Sequence, residues 1–518
     1  MKFRRFNALI LTVCMMIGMI PAVHAQDASL DGIIADTAAY LQRAVPEPQI
    51  ASIGGEWAVI GLRRSRADVP EAWYAAYIEN ASRRLEETGG VLTRNKYSEY
   101  SRLVLALTAL GVDPTDFGGH DILSNLADLS DIKKQGVNGP IFALLALDCG
   151  NFPARYDAQA KTPATRRALV DEILSRELPA GGFALAGTAI DPDLTGMALT
   201  ALAPYRDDAA VAAVCARALQ ALAQAQLPNG GFASEGSETC ESAAQVVTAL
   251  SALGIDCRTD TRFQKGADGE RATPLDALLA FYTPGKGFCH IAGGGSDLMA
   301  TEQALYALAA YQRLLDGEAA LYDMTDTHIV RDASYADLTG HWAAAEVQAL
   351  HGLGIAGGGA FLPDRAATRA EFAAALANAF GFSQKTLDPP AFGDVPDGAW
   401  YAPYVRAAAA CGVVNGKGNG RFDPDGAVTR EEAMTMLART AALFGADVGQ
   451  GEEALLKAFS DGESVSPWAR GAAAYLLSSG LMRGKEDGRL APADNITRAE
   501  TAVFISRLLT ELDRTSQY

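Results

Sequence analysis

The sequence is poor in cysteine, has no excess of positive charge and carries no long apolar run past its first twenty-five residues. Seven cysteines among 518 residues are too few and too scattered for a disulfide scaffold, and none stands in a Cys-x-x-Cys pair. Forty-four basic residues against 62 acidic ones give a formal charge of −18. That excludes a general nucleic-acid binder, which needs a net basic face to displace counterions. It leaves room for an anionic partner held by a local arginine cluster. No run of about 18 or more apolar residues follows the N-terminus, so the mature chain has no helical membrane span. A Cys-Gly-Glu-Gln thioester run is also missing. What is present is 49% apolar and 20% charged residues, enough to bury a real core, in a chain whose length suggests about three domains.

The first 25 residues read as a secretory signal. Lys2, Arg4 and Arg5 form a basic start, Ala8 to Ile20 an apolar stretch too short to span a bilayer, and Val23-His24-Ala25 a small-x-small cleavage site. Export permits disulfides among Cys149, Cys215, Cys240, Cys257, Cys289 and Cys411 without requiring them.

Internal repeats divide the rest. One pattern recurs three times, over 335–380, 392–440 and 459–510. Each copy runs from an aspartate (Asp337, Asp394, Asp461) to a tryptophan (Trp342, Trp400, Trp468) and an apolar helix. A glycine-containing turn and an x-x-Pro-x turn follow. A second helix then opens at Thr-Arg-x-Glu, with the threonine as N-cap and the glutamate completing a capping box. This order of motifs resembles the S-layer homology domain in its three-copy form. The resemblance implies a pseudo-threefold helical bundle that attaches to a secondary cell-wall polymer on peptidoglycan, an acidic glycan such as a pyruvylated one. Carried over residue by residue, it implies polymer contacts from Arg369, Arg430 and Arg498, from Trp342, Trp400 and Trp468, and from the turn lysines Lys417 and Lys485. The first copy has Gly357-Gly358-Gly359-Ala360 and no lysine. A guanidinium fork bonds a carboxylate or pyruvyl ketal bidentately, and tryptophan offers a face for a sugar ring. The alternative is that each arginine pairs with its own capping glutamate or another carboxylate. The tryptophans are expected in the core first and at the ligand second.

The segment 26–316 has a looser helical period. Amphipathic helices are expected at 30–44, 70–87, 120–129, 163–177, 208–225 and 273–282. More apolar ones are expected at 56–64, 97–110, 138–148, 192–204, 241–254 and 298–314. Alternation of six with six predicts an all-α, two-layer α/α toroid, the apolar series inside. Gly-Gly turns precede several inner helices, and Gln226-Leu-Pro-Asn-Gly-Gly-Phe232 resembles the repeat of terpenoid cyclases and prenyltransferase β subunits, whose fold is that toroid. A polar link is expected at 317–334.

The resemblance to those enzymes does not bring complete chemistry. The Asp-x-Asp-Asp run of class II cyclases is matched only by Asp191-Pro192-Asp193-Leu194, so Asp191 and Asp193 are the candidate acids, against the reading that they cap a helix. The prenyltransferase zinc set is matched at Cys240 but has Ala300 where a histidine is needed, so no metal and no cofactor are expected. The inner helix starts bring Glu56, Trp57, Tyr97, Tyr100, Asn138, Asp193, Glu241, Gln245, Thr301 and Gln303 towards one end of the ring. They either line a cavity for a sugar, a peptide or a flat cofactor, or cap helices and fill the throat. The combined expectation is an exported protein in the wall of a Gram-positive-type bacterium with a ligand-binding toroid. The rivals are an enzyme acting on a terpenoid or glycan, or a cobalamin-like cofactor carrier.

Overall fold

The computed structural model describes residues 29–329, 335–351, 360–382 and 392–515, apart from short gaps at 153, 156, 158–159, 235, 267–270, 451–452 and 486. The signal sequence, the first repeat's Gly357–Gly359 turn and part of the expected link lie outside the described residues. Two hydrophobic cores organise the chain, one from Ile33 to Met324 and one from Tyr335 to Leu512.

The first core belongs to twelve helices that alternate in place. The odd series is α1 (Leu30–Ala44), α3 (Glu71–Thr88), α5 (Leu129–Ile132), α7 (Arg166–Leu174), α9 (Ala209–Ala225) and α11 (Pro274–Leu279). The even series is α2 (Glu56–Arg64), α4 (Ser98–Ala109), α6 (Asn138–Asp148), α8 (Pro192–Leu202), α10 (Cys240–Ala252) and α12 (Leu298–Leu315). Consecutive even helices pack on one another, and α12 packs back on α2, which closes an inner ring. The odd helices pack against it from outside, as α1 on α12, α7 on α6 and α11 on α10. The fold is therefore an α/α toroid. Its sequence basis is plain in α10, where every residue from Cys240 to Ser251 is buried, so small and apolar side chains are required all round. Gly196 shows how tight this is: a Cβ there would lie 2.8 Å from the Gln245 carbonyl oxygen of the neighbouring inner helix.

Five of the six expected outer helices are present. The sixth, expected at 120–129, is instead a 3₁₀ turn at Ile122–Leu126 followed by the short α5. Asp121 accepts a bond from the Leu123 N–H at 3.1 Å and Asp128 from the Ser130 N–H at 2.8 Å. Two aspartates capping successive turns break the run in two.

The expected polar link at 317–334 is described as far as Ile329. Residues 319–327 pack on the toroid, with Leu321 and Met324 buried. Arg64 donates to the carbonyls of Leu321 and Asp323 at 3.1 and 2.8 Å, and Arg313 to that of Ala319 at 2.7 Å. Both arginines also pair with Asp326. A polar composition suggests a free connector, but here the polarity serves buried guanidinium groups that need acceptors.

The second core holds α13 (Ala344–His351), α14 (Arg369–Ala379), α15 (Ala402–Ala410), α16 (Arg430–Leu443), α17 (Arg470–Ser478) and α18 (Arg498–Thr515). The first helix of each repeat packs on the second helix of the repeat before it: α15 on α14, α17 on α16, and α13 on α18. The three copies thus close into a ring, a pseudo-threefold bundle. Thr368 and Thr429 cap their helices in complete capping boxes with Glu371 and Glu432. Thr497 and Glu500 make the same reciprocal bonds at 3.1 and 2.9 Å. The early aspartate of each repeat has a shared task. Asp337 accepts from the N–H groups of Phe361 and Leu362, Asp394 from Phe422 and Asp423, and Asp461 from Leu490 and Ala491, at 2.6–3.0 Å. The second residue of each pair has φ between 55 and 63°. The carboxylate holds a left-handed turn that glycine would otherwise be needed to make.

Candidate functional site

The toroid bore holds two chambers. The larger, about 510 Å³, lies at the C-terminal ends of α6, α8 and α10, against residues 320–325. Its charged groups are largely paired: Arg166 Nε meets Asp148 at 2.7 Å and the Tyr205 hydroxyl donates to the same carboxylate at 2.8 Å. The smaller, about 190 Å³, lies in the N-terminal half of the ring. Leu145, Thr200 and Tyr322 line both, so Tyr322, carried by the segment packed over the ring, stands between them.

Four of the ten residues expected in the throat line the smaller chamber: Trp57, Asn138, Gln245 and Gln303. Phe142, Tyr306, Ser98 and Arg102 join them. The Gln245 Nε2 donates to Gln303 Oε1 at 3.0 Å and to the Tyr306 hydroxyl at 2.5 Å, which fixes both amides. Trp57 packs with Phe142 and Tyr306 at centroid distances of 5.5 and 5.8 Å. Arg102 lies 5.9 Å from the Trp57 ring centroid. It escaped the sequence reading, although a single arginine in the apolar stretch of an inner helix is a usable signal.

The other expected residues do different work. Thr301 clips the Phe288 backbone, accepting from its N–H at 2.9 Å and donating to its carbonyl at 3.2 Å. Thr195 does the same to Phe183 at the same two distances. The Tyr100 hydroxyl holds the backbone of Leu92 and Thr93, and that of Tyr97 donates to Asp131 at 3.0 Å. Glu56 is fully buried and accepts from the Ala51 N–H at 2.7 Å. Asp191 caps α8, accepting from the N–H groups of Asp193 and Leu194.

Asp193 and Glu241 form a separate group at the starts of α8 and α10. Glu241 is 5% exposed and its Oε2 meets His290 Nδ1 at 2.8 Å. Oδ1 of Asp193 and Oε1 of Glu241 are buried without partners. Burial pushes the Asp193 carboxyl up to about 6, with Asp191 and Glu241 adding to the rise and Ser242 and His290 opposing it. Burial likewise lifts Glu302 to about 8 against a bond from the Gly54 N–H, and raises Glu56 against the Arg102 charge. Acids raised in the fold bind more protons there than in the unfolded chain. Their stabilisation is full below the ordinary carboxylate range and is lost as pH rises towards about 8. The toroid is expected to melt roughly 5 °C lower at pH 8 than at pH 5. Calorimetry of the intact chain at the two pH values checks this, and an unchanged or higher melting point at pH 8 contradicts it.

In the C-terminal bundle the three arginines expected to bind polymer form a ring. Arg369 faces Glu432 at 3.5 Å, Arg430 faces Glu500 at 2.9 Å, and Arg498 faces Glu371 at 2.7 Å. Each meets the capping glutamate of the next repeat and not its own. Their Nε atoms donate to the carbonyls of Phe422, Leu490 and Phe361 at 2.7–2.9 Å. Arg369 and Arg430 are 4% and 2% exposed. Trp342, Trp400 and Trp468 are 62%, 61% and 56% exposed. The expectation that they sit in the core is therefore corrected. Each stands just before its repeat's first helix, outside the alanine-rich contact with the preceding repeat, where an indole does not fit.

One inter-repeat groove, about 190 Å³, gathers Arg369 from the first repeat, Lys417, Glu432 and Arg439 from the second, and Trp468 from the third. Lys417 also pairs with Glu432. Three cations face one carboxylate beside an exposed indole. Lys485 lies outside this groove and pairs with Asp494 at 3.0 Å.

Comparison with known proteins accords with the repeats. Residues 334–373, 391–434 and 458–502 match the S-layer homology domain, so the C-terminal third is built of three such domains. The chain is 34% identical over 184 residues to an amylopullulanase of Thermoanaerobacterium thermosulfurigenes, covering 34% of this chain and 10% of that protein. It is 30% identical to an S-layer protein of Bacillus thuringiensis subsp. finitimus and 31% identical to the S-layer protein sap of Bacillus anthracis. Each of these two matches covers 32% of this chain and 20% of the relative. The chain thus spans a tenth to a fifth of the length of these relatives. Among solved structures, an unsaturated glucuronyl hydrolase from Bacillus sp. GL1 overlaps 57% of this chain and 98% of its own, at 10% identity and a TM-score of 0.37. No helix among the described residues is long and apolar enough to cross a membrane.

Proposed function

We propose that this is a surface protein of a Gram-positive-type cell wall, held non-covalently on an acidic secondary wall polymer by its three S-layer homology domains. The toroid is then the binding module carried into the wall space. The observation that supports attachment is the groove of Arg369, Lys417, Arg439 and Trp468, contributed by three different repeats. Its local cation excess outweighs the charge of −18 on the whole chain, because at about 0.15 M salt a charge acts over only ~8 Å. A planar guanidinium and an ammonium take carboxylate or ketal oxygens, and the indole takes the sugar face. Sedimentation of the intact chain with wall fragments tests this. The chain pellets with native fragments, and polymer released from walls displaces it. A chain that stays in solution sinks the reading.

A second reading, a glycan-cleaving toroid, is favoured by Asp193. A carboxyl that holds its proton to about 6, beside the Glu241–His290 pair, is suited to general-acid work. Release of reducing ends from wall glycan fragments, fastest near pH 6, is then expected to fall about 100-fold or more in Asp193→Asn. No release by the unaltered chain, or full activity in the variant, removes this reading.

A further inference from the structure

The smaller chamber of the bore contains an imbalance that folding alone does not explain. Arg102 is the single charged side chain on its wall among the described residues. Its Nε is buried without a hydrogen-bond partner, and among the described residues no carboxylate forms an ion pair with it. Glu56 and Glu302 act on its charge only through space, and Glu56 Oε2 is buried without a partner. Glu56 accepts from the Ala51 N–H and the Tyr77 hydroxyl, Glu302 accepts from the Gly54 N–H, and burial raises both. The guanidinium therefore lines the cavity with no carboxylate bonded directly to it. A buried cation left in this state is costly unless something supplies an anion.

The rest of the wall defines the shape of that anion. Asn138 Oδ1 is buried and unpartnered. Gln245 spends its Nε2 on Gln303 and Tyr306, which leaves its Oε1 and the Gln303 Nε2 free for a ligand. These are acceptors and donors of the kind that match vicinal hydroxyls. Trp57, Phe142, Tyr306 and Tyr322 supply apolar faces around them. A volume of about 190 Å³ is that of one six-membered sugar ring and not of a chain of them. We infer that this chamber binds a single acidic sugar unit, with its carboxylate on Arg102, its hydroxyls on Asn138, Gln245 and Gln303, and its ring among the aromatic side chains.

The inference rests on the toroid being a binding module, and it is independent of wall attachment, which involves other residues and is read by sedimentation. Calorimetric titration of the intact chain with sodium D-glucuronate, D-glucose and sodium acetate tests it. Glucuronate is expected to bind at one site. Glucose, which lacks the carboxylate, and acetate, which lacks the ring, are each expected to bind at least about tenfold more weakly, as loss of a charge-assisted bidentate bond or of the ring contacts requires. Arg102→Met is expected to bring glucuronate down to the glucose level, and Arg102→Lys to retain part of the preference. Glucose or acetate binding as tightly as glucuronate overturns the assignment. So does the absence of any glucuronate heat at about 20 mM, a concentration far above the millimolar range of weak specific sites. The comparison of the three ligands on the unaltered chain stands even if the methionine variant does not fold.

Discussion

Arg430→Ala is expected to unfold the C-terminal bundle while leaving the toroid folded. The Arg430 side chain is 3% exposed and bonds the Leu490 carbonyl at 2.9 Å, the Arg483 carbonyl at 3.3 Å and Glu500 at 2.9 Å. Its removal leaves two carbonyls without their donor and the Glu500 carboxylate with only its capping bond from the Thr497 N–H. Breaking a buried pair from one side costs about 3–5 kcal/mol, a large part of what a domain of this size holds in reserve. The loss also falls on the contact between two repeats, so it opens the ring and not one helix alone. Denaturant unfolding followed by tryptophan fluorescence reads this well, because three of the five tryptophans, Trp342, Trp400 and Trp468, are in this module. A loss below about 1 kcal/mol, the range of an exposed pair, contradicts it. Alanine at Arg369, Arg430 or Arg498 is therefore expected to abolish attachment by unfolding the module, whether or not the arginine touches polymer.

The second large effect is expected from Lys417→Ala combined with Trp468→Ala, which removes binding and leaves the fold. Trp468 is 56% exposed and lies outside the core. Lys417 is 42% exposed at its side chain, and its bond to Glu432 duplicates one that Arg369 and the helix cap already provide. Neither truncation opens a cavity, and each exposed ion pair is worth at most about 1 kcal/mol. Towards a polymer the balance differs. An indole face and a charge-assisted bond lost together amount to about 3 kcal/mol, or a factor near 100 in affinity. The effect is expected to be large because the first repeat has no lysine in its Gly357–Ala360 turn, and Lys485 is paired with Asp494 away from this groove.

The features legible in the sequence are those set by local periodicity. All six inner helices and five outer ones follow from the spacing of apolar residues, and the capping boxes follow from Thr-Arg-x-Glu. The expected helix at 120–129 failed where Asp121 and Asp128 hydrogen-bond their own backbone, a short-range competition that an apolar period does not register. The arginine ring was half legible. Each Thr-Arg-x-Glu shows an arginine and a glutamate two residues apart, but the partner is the glutamate of the next repeat, which depends on how the ring closes. The average burial of tryptophan argues for the core, whereas Trp342, Trp400 and Trp468 stand exposed ahead of helices whose contacts are made by alanine. The packing of 319–327 on the toroid is not legible locally, because nothing near it in sequence reveals Arg64, some 250 residues earlier, as the group that binds its carbonyls. In the bore, Asn138, Gln245 and Gln303 were found from helix starts. Arg102 lies a turn deeper, inside an otherwise apolar run, where helix-start signals do not reach.

Attachment through an acidic wall polymer is read from the binding isotherm of the intact chain on wall fragments. The fragments are used either native or stripped of everything but peptidoglycan. Expected are saturable pelleting on native fragments, loss of pelleting on stripped ones, and a roughly 100-fold weaker isotherm on native fragments for the Lys417→Ala, Trp468→Ala chain with its melting point unchanged. Equal pelleting on stripped fragments, or an unaltered isotherm for the double variant, would contradict it.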